Sequence, residues 1–302
     1  MLKKLSLGVI GPGNHFKKNI FPTIKKCKFI KIKSFLSSKK FFLNKFTYKN
    51  ESEFFKNDYD FVYISTPNVT HEKYIIKSLN NNYNVICEKP FLTRKKNLNK
   101  ILNLSKKKKK LIIESFMYMY HPVFKEIEKS IKSKKYGKLN YLISNFKFAF
   151  LNKNNNRYRK DKGNGFWFDA ACYLISFDNY FFGIKKKIKK INIKDKVELR
   201  GAMTLESNNI KRYYFWGEGQ EYKNDLELFF SKATIFVNQF YAKRHDDKIK
   251  LKIFKNRKIF EKVFAKKNHF ELMFKDILKN YKKIEYQNFH RKIIYDQSKF
   301  LI

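Results

Sequence analysis

Cysteine is scarce in this chain of 302 residues, and Cys27, Cys87 and Cys172 stand far apart with no C-x-x-C spacing. Structural zinc sites and disulfide frameworks need several cysteines in characteristic, closely spaced patterns. The sequence therefore argues against both, and the three thiols are predicted to be small buried hydrophobes. No metal site is predicted.

Long hydrophobic runs are absent as well. No segment approaches the roughly 20 apolar residues that a membrane-spanning helix needs. The first residues lead into a short strand and a glycine turn rather than into the apolar stretch of a signal peptide. The apolar fraction of 43% still allows full hydrophobic cores. A globular, cytoplasmic protein without a membrane partner is predicted.

Acidic residues are few, with 26 Asp and Glu against 68 Lys and Arg, so the net charge is +42. Such a charge makes nucleic acid the first suspected partner. However, the lysines extend from one end of the chain to the other and accompany many Asn, Ile, Phe and Tyr residues, as A/T-rich codons produce. Runs such as 106–110 therefore predict solvated surface and no specific nucleic-acid partner. Binding of nucleic acid through charge alone stays a further possibility, and it would weaken steeply with salt.

The first part of the chain alternates short apolar strands with helical segments, which predicts a parallel sheet covered by helices. Beyond residue 117 long strand-like runs follow one another with few helices, which predicts a mostly antiparallel sheet. The predicted fold is an α/β protein with a Rossmann doubly wound domain (1–117) and a C-terminal α/β domain on a mostly antiparallel open sheet (118–302). The predicted strands are 5–10, 29–36, 60–65, 85–87, 111–113, 139–150, 189–199, 213–215, 226–230 and 234–240, and the predicted helices are 71–79, one beginning near Thr93, and 270–281.

A glycine motif, Gly8-Val9-Ile10-Gly11-Pro12-Gly13-Asn14-His15, directly follows the first strand and opens a helix. Gly11 permits a tight turn, Gly13 lets the backbone approach phosphates, and the helix start presents free N–H groups. This context favours a pyrophosphate site. One departure is Phe16 at the third glycine position of the G-x-G-x-x-G pattern, which keeps the helix from packing as closely on the strand. The predicted coenzyme contacts here are Gly8, Gly11, Pro12, Gly13, Asn14 and His15.

The second strand ends in Ser37-Ser38-Lys39-Lys40, where NAD-binding domains usually carry an acidic residue for the ribose 2′-hydroxyl. No acidic residue precedes Glu51. A hydroxyl beside a lysine suits a 2′-phosphate, so Ser37, Ser38 and Lys39 predict NADP(H), with NAD(H) as the alternative if the lysines only follow the composition.

Glu88-Lys89-Pro90 places two charges at the end of an apolar strand. A desolvated ammonium needs a partner or a ligand, so the motif suggests a lysine held against a bound dinucleotide. The alternative is an ordinary surface end of a strand.

Taken together, these motifs resemble the glucose-fructose oxidoreductase / inositol dehydrogenase (Gfo/Idh/MocA) family. The glycine motif, Ser65–His71 and Glu88–Pro90 occur in the family's order and spacing. Glu114–Pro122 resembles its E-A-F-M-x-R-x-H-P junction, with Met119 where arginine is usual. Gly163–Tyr173 resembles its G-G-G-x-x-x-D-x-G-C-Y helix, with Asn164 and Ala171 in place of glycines.

The resemblance implies that Lys89 lies near the nicotinamide and the substrate hydroxyl, and that the Lys89–Pro90 peptide is often cis. Tyr173 stands where many members carry a histidine, which is similar to the branch of glucose-fructose oxidoreductase and nucleotide-sugar ketoreductases. Assembly as a homodimer or homotetramer is also implied. The further residues implied to lie at the coenzyme are Thr66, Pro67, Asn68, His71 and Glu88.

The chemistry also follows from the residues. Asp169 and Tyr173 are four apart and would project from one face of a helix. A nearby Lys89 ammonium would lower the pKa of Tyr173 from its usual value near 10 toward one useful for proton exchange. Asp169 would orient the sugar or the lysine. The alternative for Tyr173 is a half-buried core tyrosine.

The predicted function is therefore an NAD(P)-dependent oxidoreductase that transfers a hydride between nicotinamide and a carbon of a sugar or nucleotide sugar. The alternative is a non-catalytic dinucleotide-binding regulator or scaffold of the same fold. His121, Arg157 and Arg159 are weaker candidates for substrate contact.

Overall fold

The computed structural model describes residues 4–38, 46–159, 161, 165–183, 187–194, 197–219, 221–244 and 247–302. The chain divides into two compact units. The first unit contains Met1–Ser115 and Met273–Phe300, and the second contains Phe116–Leu272. The domain bounds 1–117 and 118–302 stay a prediction, and the units differ from them because the C-terminal helical segment groups with the first sheet.

The helical segments of the described residues include two π-helical stretches, at Phe16–Ile20 and Trp167–Ala171. The α-helices are α1 (Phe21–Lys26), α2 (Glu51–Phe55), α3 (His71–Asn80), α4 (Leu98–Lys107), α5 (Pro122–Lys132), α6 (Cys172–Phe182), α7 (His269–Asn280) and α8 (Ile284–Leu301).

The first unit is built on a six-stranded sheet in which all neighbouring strands are parallel. Its strands are β1 (Leu5–Ile10), β2 (Ile30–Leu36), β3 (Thr47–Tyr48), β4 (Phe61–Ile64), β5 (Asn84–Cys87) and β6 (Ile112–Glu114). Their order is β3-β2-β1-β4-β5-β6, so the chain winds outward from β1 in one direction and then returns to continue on its other side. In such doubly wound sheets ligands bind beyond the carboxyl ends of the strands where the winding reverses.

The strands β4, β5 and β6 of this sheet are buried on both faces. Every residue of Phe61–Ile64 and of Asn84–Cys87 is buried, as expected for parallel strands whose two faces are both covered. Phe16, at the position of the missing third glycine, is fully buried and its ring lies 5.7 Å from that of Tyr63 and 6.2 Å from that of Phe35. A glycine at this position would let the helix pack closely on the sheet. Here the ring of Phe16 fills the space between them.

The second unit is built on an eight-stranded sheet. Its strands are β7 (Leu139–Ala149), β8 (Lys187–Lys194), β9 (Glu198–Ser207), β10 (Ile210–Gly219), β11 (Lys223–Phe230), β12 (Ala233–Asn238), β13 (Ile249–Lys255) and β14 (Lys258–Phe264). Their order is β14-β13-β12-β11-β7-β10-β9-β8. Neighbours are antiparallel except β7 and β10, which are parallel. The predicted fold class is thereby confirmed.

Some predicted elements differ from the structure. The helix expected from near Thr93 begins at Leu98, five residues later. The single strand expected over 189–199 is divided between β8 and β9. The hairpin β13–β14 and the long helix α8 were not predicted.

None of the helices among the described residues combines the length with the apolar character that crossing a membrane would require.

His290 on α8 carries a prediction about acid stability. The ring is buried, and burial lowers its pKa to about 3. In the unfolded chain the same group would bind a proton near pH 6.5. The unfolded state therefore gains a proton that the folded state does not, and stability falls as the pH falls below that value. We expect His290 to lower the free energy of unfolding by about 1.4 kcal/mol for each unit by which the pH falls between about pH 6 and pH 4.

The measurement is urea unfolding followed by far-ultraviolet circular dichroism at several pH values. The variant His290→Leu should flatten the decline in the free energy of unfolding over that range. Parallel pH curves for the wild type and the variant would contradict the assignment.

Candidate active site

The glycine turn after β1 is closed on one side and open on the other. Gly11 has a φ of +68°, and a Cβ there would lie 2.3 Å from Cγ2 of Thr66, so only glycine fits. At Gly13 a Cβ would meet no described heavy atom within 4 Å. Beyond the turn the helix starts at Asn14 and His15, which are exposed, while Pro12 is buried. The turn thus provides an open backbone cradle of the kind that phosphates occupy.

Gly8 has a different role in the structure. A Cβ at this position would lie 2.8 Å from Cζ of Phe54, a fully buried ring on α2. The glycine therefore lets this ring pack against β1. Its contact with a coenzyme stays a prediction.

Three segments with predicted site residues, together with Glu114, meet at the carboxyl edge of the first sheet. Backbone pairing continues one residue past three strands, with N–H···O distances of 2.9 Å for Ser65 to Ile10, 2.9 Å for Glu88 to Ile64 and 2.8 Å for Ser115 to Cys87. The chain order of the strands thus aligns the glycine turn, Thr66-Pro67-Asn68, Glu88-Lys89-Pro90 and Glu114 along one edge.

His71, the first residue of α3, joins two of these segments. Its ring is fully buried, with Nδ1 2.8 Å from the carbonyl oxygen of Pro90 and Nε2 3.0 Å from that of Thr66. Burial lowers the pKa of His71, although the two carbonyl oxygens favour the protonated ring. The Lys89–Pro90 peptide that it holds is cis. His71 therefore positions the segment that carries the half-buried Lys89.

Glu88 is held by the protein on two sides. The hydroxyl of the buried Tyr63 donates a hydrogen bond to its Oε1, and Nε2 of His15 lies 3.4 Å from the same oxygen. Burial alone would raise the pKa of Glu88, but His15, the Tyr63 hydroxyl and Lys89 outweigh it, so the pKa is lowered. An ionised Glu88 thus links the helix after the glycine turn to the end of β5.

Glu114 is the residue of this edge that sequence reasoning assigned to no role. Its side chain is buried, Oε1 accepts a hydrogen bond of 2.8 Å from the backbone N–H of Phe91, and burial raises its pKa to about 8 although Phe91 and Lys89 oppose this. Its Oε2 is buried without a hydrogen-bond partner in the described part of the chain, as is Oγ1 of Thr66. The signal in the sequence was a carboxylate ending the apolar run 111–113.

These features fit a dinucleotide. The open cradle over Gly13 suits phosphates. A polar ring can bind to the half-buried ammonium of Lys89 and to the buried polar atoms of Thr66 and Glu114, which lack partners among the described residues. Ser37 and Ser38 follow β2, the former half-buried and the latter exposed. Lys39 lies outside the described residues, so a 2′-phosphate site there stays a prediction.

A matched pair of glycine substitutions tests this turn. Gly11→Ala should destabilise the protein by about 1–3 kcal/mol, since the left-handed backbone and the approach of Thr66 both exclude a methyl group. Gly13→Ala should leave stability unchanged or raise it by up to about 1 kcal/mol. Both should weaken dinucleotide binding, and Gly13→Ala should do so because the added methyl group would stand in the open cradle. Urea unfolding and fluorescence titration with NADPH are the measurements, and equal stability of the two variants would contradict the geometry.

In the second unit, Tyr173 lies near the start of α6 in an aromatic cluster. Its ring centre is 5.0 Å from that of Phe146 and 5.3 Å from that of Phe116, and its hydroxyl lies 3.7 Å from Sδ of Met117. The side chain is 5% exposed. The ring is therefore fixed by packing, with its hydroxyl toward a weak acceptor.

Asp169 belongs to the π-helical turn before α6 and forms an ion pair with Arg157. The guanidinium of Arg157 also lies over the ring of Phe148, 4.8 Å from its centre. Arg159, in contrast, pairs with Asp161 at 2.8 Å on the exposed surface. The structure thus separates the two loop arginines, which sequence reasoning treated alike, and gives Asp169 a cationic partner that its spacing did not predict.

His121 caps α5, because its Nδ1 accepts a hydrogen bond of 3.2 Å from the N–H of Val123. Burial, with Lys243 and Lys267 adding to it, lowers its pKa to about 4. Its role here is that of a helix cap. Within the described residues no group of three or more His, Cys, Asp or Glu side chains is placed to hold a metal ion.

Comparison with known proteins finds similar sequences and structures among oxidoreductases. Residues 5–116 match the GFO_IDH_MocA profile, described as an oxidoreductase family with an NAD-binding Rossmann fold. A dTDP-3,4-didehydro-2,6-dideoxy-alpha-D-glucose 3-reductase from Actinomadura kijaniata is 21% identical over 192 residues, 62% of this chain and 58% of that protein. A scyllo-inositol 2-dehydrogenase (NADP(+)) from Bacillus subtilis is 25% identical over 138 residues, 43% of this chain and 42% of that protein. The matches thus span about half the length of these relatives.

Among solved structures, KijD10, a 3-ketoreductase from Actinomadura kijaniata in complex with NADP and TDP-benzene, is similar with a TM-score of 0.92 at 18% identity, over 99% of this chain and 96% of that chain. Further structures of KijD10 carry a tyrosine-to-phenylalanine or a lysine-to-alanine substitution. At this identity the likeness establishes the fold. With their Rossmann motifs, residues 5–116 thus match the Gfo/Idh/MocA oxidoreductase family.

Proposed function

We propose that this protein is an NADP(H)-dependent oxidoreductase that moves a hydride between nicotinamide and a carbon of a sugar or nucleotide sugar. The observation that carries the proposal is the carboxyl edge of the first sheet. There the turn at Gly11, open over Gly13, shares one edge with Lys89, whose segment is held by His71 and Glu114. Two buried polar atoms without partners among the described residues, Oγ1 of Thr66 and Oε2 of Glu114, lie at this edge and support a ligand there.

NADP(H) is favoured over NAD(H) because the chain has no acidic residue before Glu51 and carries Ser38 and Lys39 after β2. The structure of KijD10 is a complex with NADP, and the name of the inositol dehydrogenase relative includes NADP(+). We expect Lys39→Gln to weaken NADPH binding and to leave NADH binding unchanged.

The nicotinamide, when bound, supplies or accepts the hydride. In the reducing direction the substrate is a ketone, and a proton must reach its oxygen as the hydride reaches its carbon. We assign this proton to the hydroxyl of Tyr173. The ammonium of Lys89 would stabilise the phenolate that remains and hold the reacting oxygen.

Support for this pair comes from the comparison. The lysine and the tyrosine substituted in the KijD10 structures have the same separation along their chain as Lys89 and Tyr173 have here. Asp169 is assigned the orientation of the sugar. Its ion pair with Arg157 would limit its movement.

Turnover is tested with the purified protein, NADPH and NADH, and a panel of ketosugars, nucleotide-linked ketosugars and inositols. Oxidation of NADPH with at least one panel member supports the proposal. Tight dinucleotide binding without turnover on any member, in either direction, would favour a non-catalytic regulator of the same fold. The proposal also includes assembly as a homodimer or homotetramer, which light scattering tests, and a cytoplasmic location.

A further inference from the structure

A cavity of about 500 Å³ opens at the amino-terminal edge of the first unit's sheet. Asn84, the first residue of β5, lies in its wall. Glu88 and Lys89 follow the other end of the same strand, so the cavity and the candidate coenzyme site lie at opposite edges of the sheet. Its volume falls within the range of about 300–1,000 Å³ that is usual for small-molecule sites.

The lining of this cavity is basic. It contains five cationic side chains, and no Asp or Glu is among the described residues that line it. Three of the cations follow one another closely at the end of α4, and two come from the segment around the start of α8. The five are Lys106, Lys109, Lys110, Lys282 and Arg291.

Arg291 distinguishes the cavity from an ordinary lysine-rich surface. Its guanidinium is half-buried, and it donates hydrogen bonds to Oγ of Ser105 at 3.2 Å and to Oδ1 of Asn288 at 2.6 Å. Both acceptors are neutral, and burial lowers the pKa of Arg291. Desolvated cations in proteins are usually paired with an anion. The composition of the chain explains many exposed lysines, but it does not explain a half-buried arginine that bonds only neutral groups in the described structure.

The walls are fixed by buried amides. Nε2 of Gln287 donates to the carbonyl oxygen of Tyr281 at 2.8 Å and lies 3.5 Å from that of Lys109, which joins the two basic segments. Asn84 accepts from the N–H of Leu111 at 2.9 Å, beside Lys110. A site built in this way needs little ordering when a ligand binds.

Two further features suit a ligand with an apolar part. The ring of Tyr281 and the exposed side chain of Ile284 provide apolar surface beside the cations. Ile284 is also the first residue of α8, an 18-residue helix. The helix dipole favours an anion near the amino terminus of a helix.

We propose that this cavity binds a small, multiply phosphorylated anion of nucleotide size. Its phosphates contact the lysines at the end of α4 and Arg291, and its apolar part lies against Tyr281 and Ile284. The proposal concerns a second site, separate from the coenzyme.

Isothermal titration calorimetry of the full chain with sodium tripolyphosphate and with ATP tests it. Loss of charge-assisted hydrogen bonds should weaken binding by at least about tenfold in Arg291→Gln and in the triple variant Lys106→Gln/Lys109→Gln/Lys110→Gln. The matched control is Lys134→Gln/Lys135→Gln/Lys138→Gln, which removes the same charge from lysines of the second unit and should change binding less than about twofold. ATP should bind more tightly than tripolyphosphate.

Three results would overturn the proposal: no binding of either ligand, equal weakening in the cavity and control variants, or binding that is tight only for a short single-stranded RNA and insensitive to the cavity substitutions. All variants keep the carboxyl edge of the sheet intact, so any phosphate bound there contributes equally to each titration. Failure of the proposed coenzyme site therefore leaves this comparison unchanged.

Discussion

Tyr173→Phe is expected to lower kcat for ketosugar reduction by about 10²–10⁴-fold, the usual contribution of a positioned acid or base. The substitution removes only the hydroxyl. The ring keeps its contacts with Phe116 and Phe146, so the fold and NADPH binding should stay unchanged. Steady-state kinetics and NADPH titration measure the two quantities separately.

Tyr118→Phe is the matched control. Its ring belongs to the same cluster, 5.9 Å from that of Tyr173, but its hydroxyl bonds Ser176 at 2.8 Å. This variant should retain kcat within about threefold, as expected when no group acting in the transition state is lost. Similar losses in both variants would show that packing of the cluster, and not proton transfer by Tyr173, limits turnover.

Lys89→Met tests whether Lys89 lowers the pKa of Tyr173 or transfers the proton itself. If the ammonium stabilises the Tyr173 phenolate, its loss should raise the pKa that governs the pH profile of sugar oxidation, so activity recovers at higher pH. If Lys89 carried the proton itself, its loss would abolish the rise of activity with pH instead of shifting it. An unchanged profile would remove Lys89 from both roles.

Arg212→Leu is expected to destabilise the second unit by about 3–5 kcal/mol, since it leaves Asp178 buried without its cation. Both side chains have no exposed surface. Nε of Arg212 lies 2.5 Å from Oδ1 of Asp178, which also accepts a 2.7 Å hydrogen bond from the hydroxyl of Tyr214. Burial raises the pKa of Asp178 although Arg212 and Tyr214 oppose this. Removing Arg212 should therefore either leave the carboxyl protonated or leave an unpaired buried charge that destabilises the fold.

Urea unfolding followed by tryptophan fluorescence measures this effect in the second unit, which contains both tryptophans, Trp167 and Trp216. Lys211→Leu, at the exposed neighbouring position on β10, is the control and should change stability by less than about 0.5 kcal/mol. The double variant Asp178→Leu/Arg212→Leu should lose less than Arg212→Leu alone. Additive losses would contradict a coupled pair.

Much of the first unit could be predicted because its signals are local. The glycine turn requires a left-handed residue at Gly11, and the alternation of buried strands with helices fixes a parallel sheet. In the second unit β7, β11 and β12 were predicted from their apolar runs. The hairpin β13–β14 and α8 were missed, although the apolar residues of β13 alternate with lysines, as is typical of a half-exposed strand.

The sequence by itself determined the fold class, the match of residues 5–116 to the Gfo/Idh/MocA family and the segments that carry Lys89, Asp169 and Tyr173, since each depends on motifs of neighbouring residues. Only the tertiary structure decided which side chains meet. His71 joins Thr66 to Pro90, Arg157 pairs with Asp169, and the cavity beside Arg291 combines the end of α4 with the start of α8. These contacts follow from strand order, loop conformation and burial, which bring together residues far apart in the chain and change the free energy of their charged forms.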